Sequence, residues 1–587
     1  MTSSFTKKPK TPKALGRRAF LTSSGAAGGL LFTATVLAQQ QAPNPPLSSP
    51  SDLNIAEKLI DLDYTDAERS VIYESLEGLV DRVRARRENA PLTNADLPAH
   101  IFDPRLPSQD YKQQKYAVKL AAQEAGAIPS DEDIAFAPVW KQGIWLREGR
   151  LTANRLTDIY LQRIQKLGPK LECFVTVTEA DARKAAQQAD IELRSGKDRG
   201  PLHGIPYGLK DLVDTAGIRT TWGAEPYKNR IAPTDALVVK RLRDAGAILL
   251  GKTTLGALAY GDRWFGGVTR NPWDTEEGSS GSSAGSASAT AAGLCSFAIG
   301  SETLGSIISP SSRCGTTGLR PTFGRIPRTG AMALCWSLDK LGPLCRSVED
   351  TALILEALNG ADPSDPSSLE WGFSYDGPTA IGEDIKIGYD PAWFNNATAT
   401  DKAVLGQLRS MGFTLTEITL PDMPYSALLT ILDVEAAAAF EDLTLSGQDD
   451  LLKWQEPQSW PNTFRSAHFI SAVEAQQVDR FRRKVMEMMA GIYEKVDMLV
   501  CPNFTGDLMV ITNFTGAPSL TIPVGMEERQ SVPRVGEPKP DTRRVKSPHP
   551  HAITLWGNMF REDQLLAVGR LLEESMRFYR NRPDFSA

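Results

Sequence analysis

The chain has 587 residues, of which 41% are hydrophobic and 23% charged, and this composition predicts a globular protein with a large buried core. The formal net charge of -6 at pH 7 excludes the strongly basic surface with which proteins hold nucleic acid. A small, weakly charged partner and no nucleic acid are therefore expected.

Six cysteines are spread along the chain without the close pairs that zinc and redox sites use. We interpret them as small buried apolar residues and predict no metal site from them. They are Cys173, Cys295, Cys314, Cys335, Cys345 and Cys501.

Residues 1–38 have the pattern of an export signal. Arg17 and Arg18 end a basic start, and the weakly apolar stretch over 26–38 is too short to span a bilayer. The arginine pair resembles a twin-arginine signal, with a small-residue cleavage site that ends at Ala38. We expect export in the folded state to the periplasm or the exterior, with no stable membrane anchor after signal removal. The alternative is a disordered basic tail.

Three further segments follow in chain order. Residues 39–64 are predicted to be a flexible linker, because Pro, Gln and Ser dominate their first half. Residues 65–130 are predicted to be an N-terminal helical appendage, since Thr65 and Glu68 can form a capping box before apolar residues at helical spacing. Residues 131–587 are predicted to be one domain.

The pattern within this domain predicts an α/β fold. Helical periodicity begins at Leu151 and again at Glu179. From about Gly204, short apolar runs alternate with helical stretches, which favours a mixed sheet. A polar stretch over 527–550 is expected to be an exposed loop. Strands are predicted at 247–250, 385–388 and 498–501, and a helix at 235–244.

The most unusual segment, 277–293, consists almost wholly of Gly, Ser and Ala. Such a composition allows a close approach of backbone to backbone or ligand. A flexible linker is the alternative, but this segment runs directly into an apolar stretch. A second Gly- and Ser-rich turn follows at 300–310, so two hydroxyl-rich turns flank one apolar stretch and are expected to face each other.

Several motifs in the right order resemble the amidase signature family. They also place two serines 24 positions apart, as that family requires. The resemblance covers about residues 135–573 and implies a large mixed β-sheet wrapped by helices. The motifs are GIPYGLKDL (204–212), GSSAGS (281–286), GSETLGSI (300–307) and CGTTGLRPTFGRIPRTG (314–330).

The resemblance also implies catalytic roles. Ser306 matches the acyl-forming nucleophile, Ser282 the bridging serine after a cis peptide bond, and Lys210 the base. The chemistry is consistent with these roles: a serine hydroxyl needs a group that takes its proton, and a lysine does so at neutral pH only when burial lowers its pKa. Backbone N–H groups of Thr303, Leu304, Gly305 and Ser306 are the predicted oxyanion hole.

The chain departs from the family at three positions of this turn. The family commonly has Asp, Gly and Arg where this chain has Glu302, Leu304 and Ile308. A leucine in the turn is strained if its φ must be positive.

Other candidates are weaker. Ser283 completes a G-x-S-x-G pattern, but that motif needs an apolar strand before it, whereas 271–277 is polar and is interpreted as a turn. Lys252 follows a predicted strand and is a second candidate base. The five histidines are poor candidates for a base, because two of them, His549 and His551, fall in the predicted polar loop.

We therefore predict an exported amidase that hydrolyses a small-molecule or peptide amide through an acyl-enzyme on Ser306, with no cofactor. Two alternatives stay open. One is the glutamine-hydrolysing A-type subunit of a tRNA-dependent amidotransferase, and the other is an inactive binding protein with the amidase fold.

Overall fold

The computed structural model describes residues 49–120, 124–128, 130–378, 385–532 and 546–585. The predicted signal over 1–38 lies outside the described residues. The strands are β1 Ala117–Val118, β2 Phe174–Val177, β3 Pro206–Lys210, β4 Ile248–Thr253, β5 Arg263–Trp264, β6 Gly267–Val268, β7 Arg270–Asn271, β8 Asp274–Gly278, β9 Phe297–Glu302, β10 Thr317–Arg320, β11 Lys340–Cys345, β12 Ser374–Tyr375, β13 Lys386–Tyr389, β14 Thr414–Glu417, β15 Met498–Pro502, β16 Ser519–Arg529 and β17 Ser547–Gly557.

Helices occur along the whole of the described chain. They are α1 Leu53–Ile60, α2 Asp66–Asn89, α3 Asp131–Phe136, α4 Val139–Arg147, α5 Ala153–Leu171, α6 Glu179–Arg194, α7 Leu237–Asp244, α8 Ala284–Ala291, α9 Ile308–Cys314, α10 Val348–Leu358, α11 Ala399–Ser410, α12 Leu429–Ala439, α13 Glu441–Leu445, α14 Trp460–Ala467, α15 Ala472–Tyr493, α16 Leu508–Thr515 and α17 Glu562–Met576. No helix among the described residues is long and apolar enough to cross a membrane.

A mixed sheet of eleven described strands forms the centre of the fold, in the order β14-β13-β15-β17-β16-β10-β11-β9-β3-β4-β2. Strands β9, β3 and β4 are parallel neighbours, and β11 runs antiparallel to β9. Every residue of β3 and β9 is buried, as in sheets covered by helices on both faces. The predicted α/β fold, a large mixed sheet wrapped by helices, is confirmed.

Local sequence explains the predicted helices. Helix α5 begins where the Thr152 side chain accepts a hydrogen bond from the Arg155 amide. Its apolar residues at helical spacing, among them Leu156, Ile159 and Ile164, are buried. The strands predicted at 247–250, 385–388 and 498–501 correspond to β4, β13 and β15, and the predicted helix 235–244 corresponds to α7.

The N-terminal predictions need correction. The linker predicted over 39–64 is wrong in its second half, where α1 forms. The capping box at Thr65 is present and starts α2, but the appendage predicted over 65–130 is helical only to Asn89. Beyond it, β1 pairs in parallel with β12. This strand pairing depends on a partner more than 250 residues away, which local periodicity does not reveal.

The loop predicted over 527–550 is also shorter than expected. Strand β16 continues to Arg529 and β17 begins at Ser547, so both ends of the predicted loop form an antiparallel ladder. His549 is consequently buried in a strand. Its ring lies 3.1 Å from the Glu277 carboxylate and 3.4 Å from that of Asp274. These charge pairs explain why a polar sequence is held in the sheet.

Candidate active site

The predicted site residues lie at one edge of the sheet. Lys210 is the last residue of β3, and Glu302 is the last residue of the parallel strand β9. Ser306 follows β9 in the turn before α9, and Ser282 precedes α8. Because the carboxyl ends of parallel strands meet at the same edge, residues distant in sequence come together here. The peptide bond between Gly281 and Ser282 is cis.

Lys210 contacts three serines. Its Nζ lies 2.8 Å from Ser282 Oγ, 3.1 Å from Ser283 Oγ and 2.9 Å from Ser301 Oγ. The Ser283 hydroxyl itself donates to the Ser301 carbonyl oxygen, at 3.0 Å. A neutral amine has two N–H groups and one lone pair, so Lys210 can donate to Ser283 and Ser301 and still accept a proton from Ser282.

The electrostatics of this position favour the neutral amine. Lys210 is fully buried. Burial lowers the pKa of its ammonium well below the ordinary value, although the charges of Asp339 and Glu302 oppose this shift. The neutral amine, which is the form that can accept a proton, is therefore favoured at this position.

The backbone of Ser306 is hydrogen-bonded to Ser283, the residue that follows Ser282. Its carbonyl oxygen accepts a hydrogen bond from the Ser283 amide, at 3.2 Å. Within the described part of the chain, the Ser306 hydroxyl has no hydrogen-bond partner. Ser306 is buried, with 8% of its surface exposed. The relay from Ser306 to Ser282 therefore stays a prediction.

Glu302 holds the turn that carries Ser306. Its Oε2 accepts hydrogen bonds from the amides of Ile307 and Ile308, at 2.7 and 3.0 Å. Its Oε1 accepts from Arg320, at 2.8 Å, and from Asn513, at 2.9 Å. Burial raises the pKa of this carboxyl, but the Arg320 charge and the backbone amides outweigh burial and keep it below the ordinary value. Glu302 therefore binds as a carboxylate.

The turn does not strain its leucine. Leu304 is absent from the described non-glycine residues with positive φ, whereas Gly305 has φ 83°. The glycine supplies the left-handed conformation, and a side chain at Leu304 is tolerated. No described residue accepts a hydrogen bond from the amides of the predicted oxyanion hole, which are those of Thr303, Leu304, Gly305 and Ser306.

The alternative nucleophile and base have other contacts. Ser283 is fully buried. Its hydroxyl donates a hydrogen bond to the Ser301 carbonyl oxygen and accepts one from the Ser301 amide. The preceding polar segment was expected to be a turn, but it forms the β7–β8 hairpin, which is separate from the main sheet. Lys252 binds the Val213 carbonyl and the Thr220 hydroxyl and lies 3.5 Å from Asp211. It contacts none of the site serines.

All six cysteines are buried and unpaired, as expected for small apolar residues. Asp274, Glu277 and His549 form a group whose ligand atoms lie within 4.8 Å of one another. Two guanidinium groups, of Arg313 and Arg529, pair with Glu277 at 2.6 and 3.0 Å. The positive charges beside this group oppose a metal cation there.

A cavity of about 340 Å³ adjoins the site. Ser301, which contacts Lys210, and Thr303, in the Ser306 turn, both line it. The Thr303 hydroxyl donates to Asp339, at 2.6 Å, and Asp339 also accepts from the amides of Leu334 and Cys335. The cavity is large enough for a small organic ligand.

Sequence reasoning missed Ser301 as a partner of Lys210 and Glu302 as the support of the turn. Ser301 stands in the quoted GSETLGSI motif, so its proximity to Ser306 was visible. The contact with Lys210 crosses 91 positions and follows only from the pairing of β3 with β9.

A buried lysine set among serines, at the carboxyl edge of a helix-covered mixed sheet, is the arrangement of an amidase-type enzyme. The family model described as Amidase matches residues 155–566, and the chain belongs to the amidase signature family.

Two such relatives are glutamyl-tRNA(Gln) amidotransferase A subunits. The subunit of Carboxydothermus hydrogenoformans is 30% identical over 491 residues, covering 75% of this chain and 97% of that protein. The subunit of Hahella chejuensis is 32% identical over 478 residues, covering 75% and 97%. The solved structure of native peptide amidase from Stenotrophomonas maltophilia aligns with a TM-score of 0.66 and 29% identity, covering 77% of this chain and 99% of that one.

Proposed function

We propose that this protein hydrolyses the C–N bond of a small-molecule or peptide carboxamide through an acyl-enzyme on Ser306. The observation that carries the proposal is the 2.8 Å contact between Lys210 Nζ and Ser282 Oγ, both buried. Similarity to a peptide amidase supports the reaction class. The mechanism uses only side chains and backbone groups of this chain.

In the first half of the reaction, Ser306 Oγ attacks the amide carbonyl carbon. Its proton passes through the Ser282 hydroxyl to the neutral amine of Lys210. The charge that develops on the carbonyl oxygen is stabilised by the amides of the 303–306 turn, which have no acceptor among the described residues.

The tetrahedral intermediate then collapses. The C–N bond breaks, and the leaving nitrogen takes the proton back through Ser282, so that ammonia or an amine departs and Ser306 carries an ester. Water attacks this ester in the second half by the same proton route. The carboxylic acid is released, and Ser306 regains its hydroxyl.

The proposal is tested by ammonia release from a panel of carboxamides. We expect Ser306→Ala and Lys210→Ala to lose about 10²–10⁴-fold or more of kcat/KM. Ser410→Ala is the matched control, because Ser410 is exposed at the end of α11, where its hydroxyl donates to the Gln407 carbonyl, and has no part in the proposed mechanism. If Ser306→Ala and Lys210→Ala are folded and as active as the parent, the proposal is wrong.

A second candidate function is a glutamine-hydrolysing A-type subunit. It is favoured by the 30–32% identity to the two amidotransferase A subunits. Glutamine turnover that exceeds all other amides in the panel supports this candidate, and turnover of other amides without glutamine turnover contradicts it.

We also propose export by the twin-arginine route, on the strength of Arg17 and Arg18. Replacing both arginines with lysine is expected to retain the protein in the cytoplasm. Unchanged distribution between cell fractions contradicts the route.

A further inference from the structure

Part of the wall of the cavity beside the site is formed by residues 93–97, which follow helix α2. Thr93, Asn94, Ala95 and Leu97 line it together with Ser301 and Thr303. These four residues precede the part of the chain that the family model matches, 155–566. A segment outside the family region thus contributes to a cavity that Thr303, in the turn of the proposed nucleophile, also lines.

Asn94 fastens this segment to two parts of the domain. Its Nδ2 donates to the carbonyl of Ala333, at 2.7 Å, and to that of Ala439, at 3.2 Å. Its Oδ1 accepts from the Ala333 amide, at 3.0 Å. One side chain therefore satisfies both backbone groups of Ala333, as a paired strand residue does, and Ala333 itself lines the cavity.

Two more contacts hold the segment in place. Arg86 and Arg87, at the end of α2, pair with Glu441 at 2.7 and 3.1 Å. The next residue, Asp442, lines the cavity. Asp96 accepts hydrogen bonds from the Thr93 amide and hydroxyl, at 2.8 and 2.9 Å, which fixes the turn over 93–96. These contacts fix the position of residues 93–97 before any ligand binds.

The cavity chemistry suits an apolar group. Four of the charged side chains on its wall form two ion pairs, Arg230 with Asp214, at 2.6 Å, and Arg328 with Asp365, at 3.6 Å. The Asp339 and Asp442 carboxylates instead accept hydrogen bonds from neutral groups of the protein. Lys340 is buried and donates to the Leu338 carbonyl. Much of the remaining wall is aliphatic or aromatic, including Leu97, Leu212, Trp222, Tyr227, Met332 and Trp336.

We propose that residues 93–97 form the outer wall of the substrate pocket and set the size of the apolar group that an accepted amide carries. This inference rests on the proposed amidase function. Leu97 is the size-setting side chain, because it lines the cavity yet is 51% exposed, which places it at the rim. Asn94 is a positioning residue that holds the wall.

The test uses a series of carboxamides from propionamide to naphthylacetamide. Leu97→Ala widens the rim and Leu97→Trp narrows it, so the ratio of kcat/KM for the bulky over the small amide should move up and down, respectively, by about 10-fold. Asn94→Ala should also change this ratio, because residues 93–97 lose the hydrogen bonds to Ala333 and Ala439 that hold them in place. Asn89→Ala is the matched control, since the one side-chain hydrogen bond that Asn89 forms with described residues is to the Ala85 carbonyl within α2.

A second readout is the rate at which small and bulky fluorophosphonates label Ser306, followed by intact mass. A ratio that stays within twofold of the parent in both Leu97 variants and in folded Asn94→Ala overturns the inference while the parent remains active. A parent that turns over no amide and takes no probe contradicts the proposed function, and the inference falls with it.

Discussion

The Nζ atom of Lys210 lies 2.8 Å from the hydroxyl oxygen of Ser282, and both side chains are buried. A charged lysine in this position would lose its hydration without gaining a carboxylate partner, because no described carboxylate lies within 4.0 Å of it. Burial therefore favours the neutral amine at this contact, and a neutral amine beside a hydroxyl is the pairing that proton transfer needs.

The first prediction concerns pH. Burial lowers the pKa of Lys210, and only its neutral form accepts a proton. Consequently, kcat/KM should rise as pH increases through this lowered pKa and stay level above it. Lys210→Arg, which remains charged, should be inactive at every pH, at least 10²-fold below the parent. A pH–rate profile that falls as pH increases through neutrality contradicts Lys210 as the base.

The second prediction concerns Glu302 and Arg320, a fully buried ion pair at 2.8 Å. Glu302→Gln leaves Arg320 without a compensating charge, so the free energy of unfolding should fall by about 3–5 kcal/mol. Turnover should also fall, because the Ser306 turn loses its carboxylate support. Denaturant unfolding and kcat measure the two effects.

A control and a rescue accompany this variant. Glu487→Gln breaks the exposed Arg483–Glu487 pair and should cost less than about 1 kcal/mol. Glu302→Asp keeps the charge and should retain more stability than Glu302→Gln. Equal stability of Glu302→Gln and the parent would show that the buried pair does not support the turn.

The third prediction separates two neighbours in the turn. Gly305→Ala places a Cβ 2.8 Å from Met509 Sδ at a φ of 83°, so it should reduce both stability and kcat. Leu304→Gly should leave kcat within a few-fold of the parent, since Leu304 does not have a positive φ. Gly406→Ala is the control, because its added Cβ meets nothing within 4 Å.

The opposite order of effects for Gly305→Ala and Leu304→Gly would contradict this description of the turn. If Leu304→Gly greatly increases turnover and Gly305→Ala is harmless, then Leu304 is the strained position and the geometry of the turn is wrong. Steady-state kinetics and thermal unfolding of the three variants decide between the outcomes.

The fourth prediction concerns His549 and stability. Burial lowers the pKa of this imidazole, but the adjacent Asp274 and Glu277 carboxylates outweigh burial and raise it to about 9. A raised pKa stabilises the fold fully below the ordinary histidine pKa of about 6.5 and loses this contribution as pH rises toward 9. His549→Gln should therefore destabilise by about 2 kcal/mol at pH 6 and by much less at pH 9.5.

Unfolding of parent and variant at both pH values measures this difference. His468→Gln, on an exposed residue, is the matched control. A stability gap between parent and His549→Gln that grows from pH 6 to pH 9.5 contradicts the charged imidazole.

Periodicity and motifs predicted much of this molecule. Helices α5 and α6 and strands β4, β13 and β15 follow from local apolar patterns, because each buries one face or a whole strand. The family resemblance supplied Lys210, Ser282 and Ser306, and the structure brings Lys210 and Ser282 into contact. The sequence did not give the 2.8 Å distance of this contact, and the catalytic roles of the three residues stay predictions.

The remaining features depend on contacts between distant segments. Strand β17 around His549 is held by pairing with β16 and by salt bridges to β8. Its own sequence is polar and therefore resembles that of a loop. Asn94 reaches Ala333 across 239 positions. Such contacts leave no local periodicity, and a single sequence therefore does not reveal them.

The role of Ser306 as the nucleophile is tested most directly by identifying the covalently modified residue. The parent, exported or purified in the folded state, is treated with a fluorophosphonate and then digested for mass spectrometry. We expect a single adduct on Ser306, none in Ser306→Ala, and strongly slowed labelling in Lys210→Ala. Labelling of Ser283 or Ser282 in place of Ser306, or undiminished labelling of Ser306→Ala, would contradict this role.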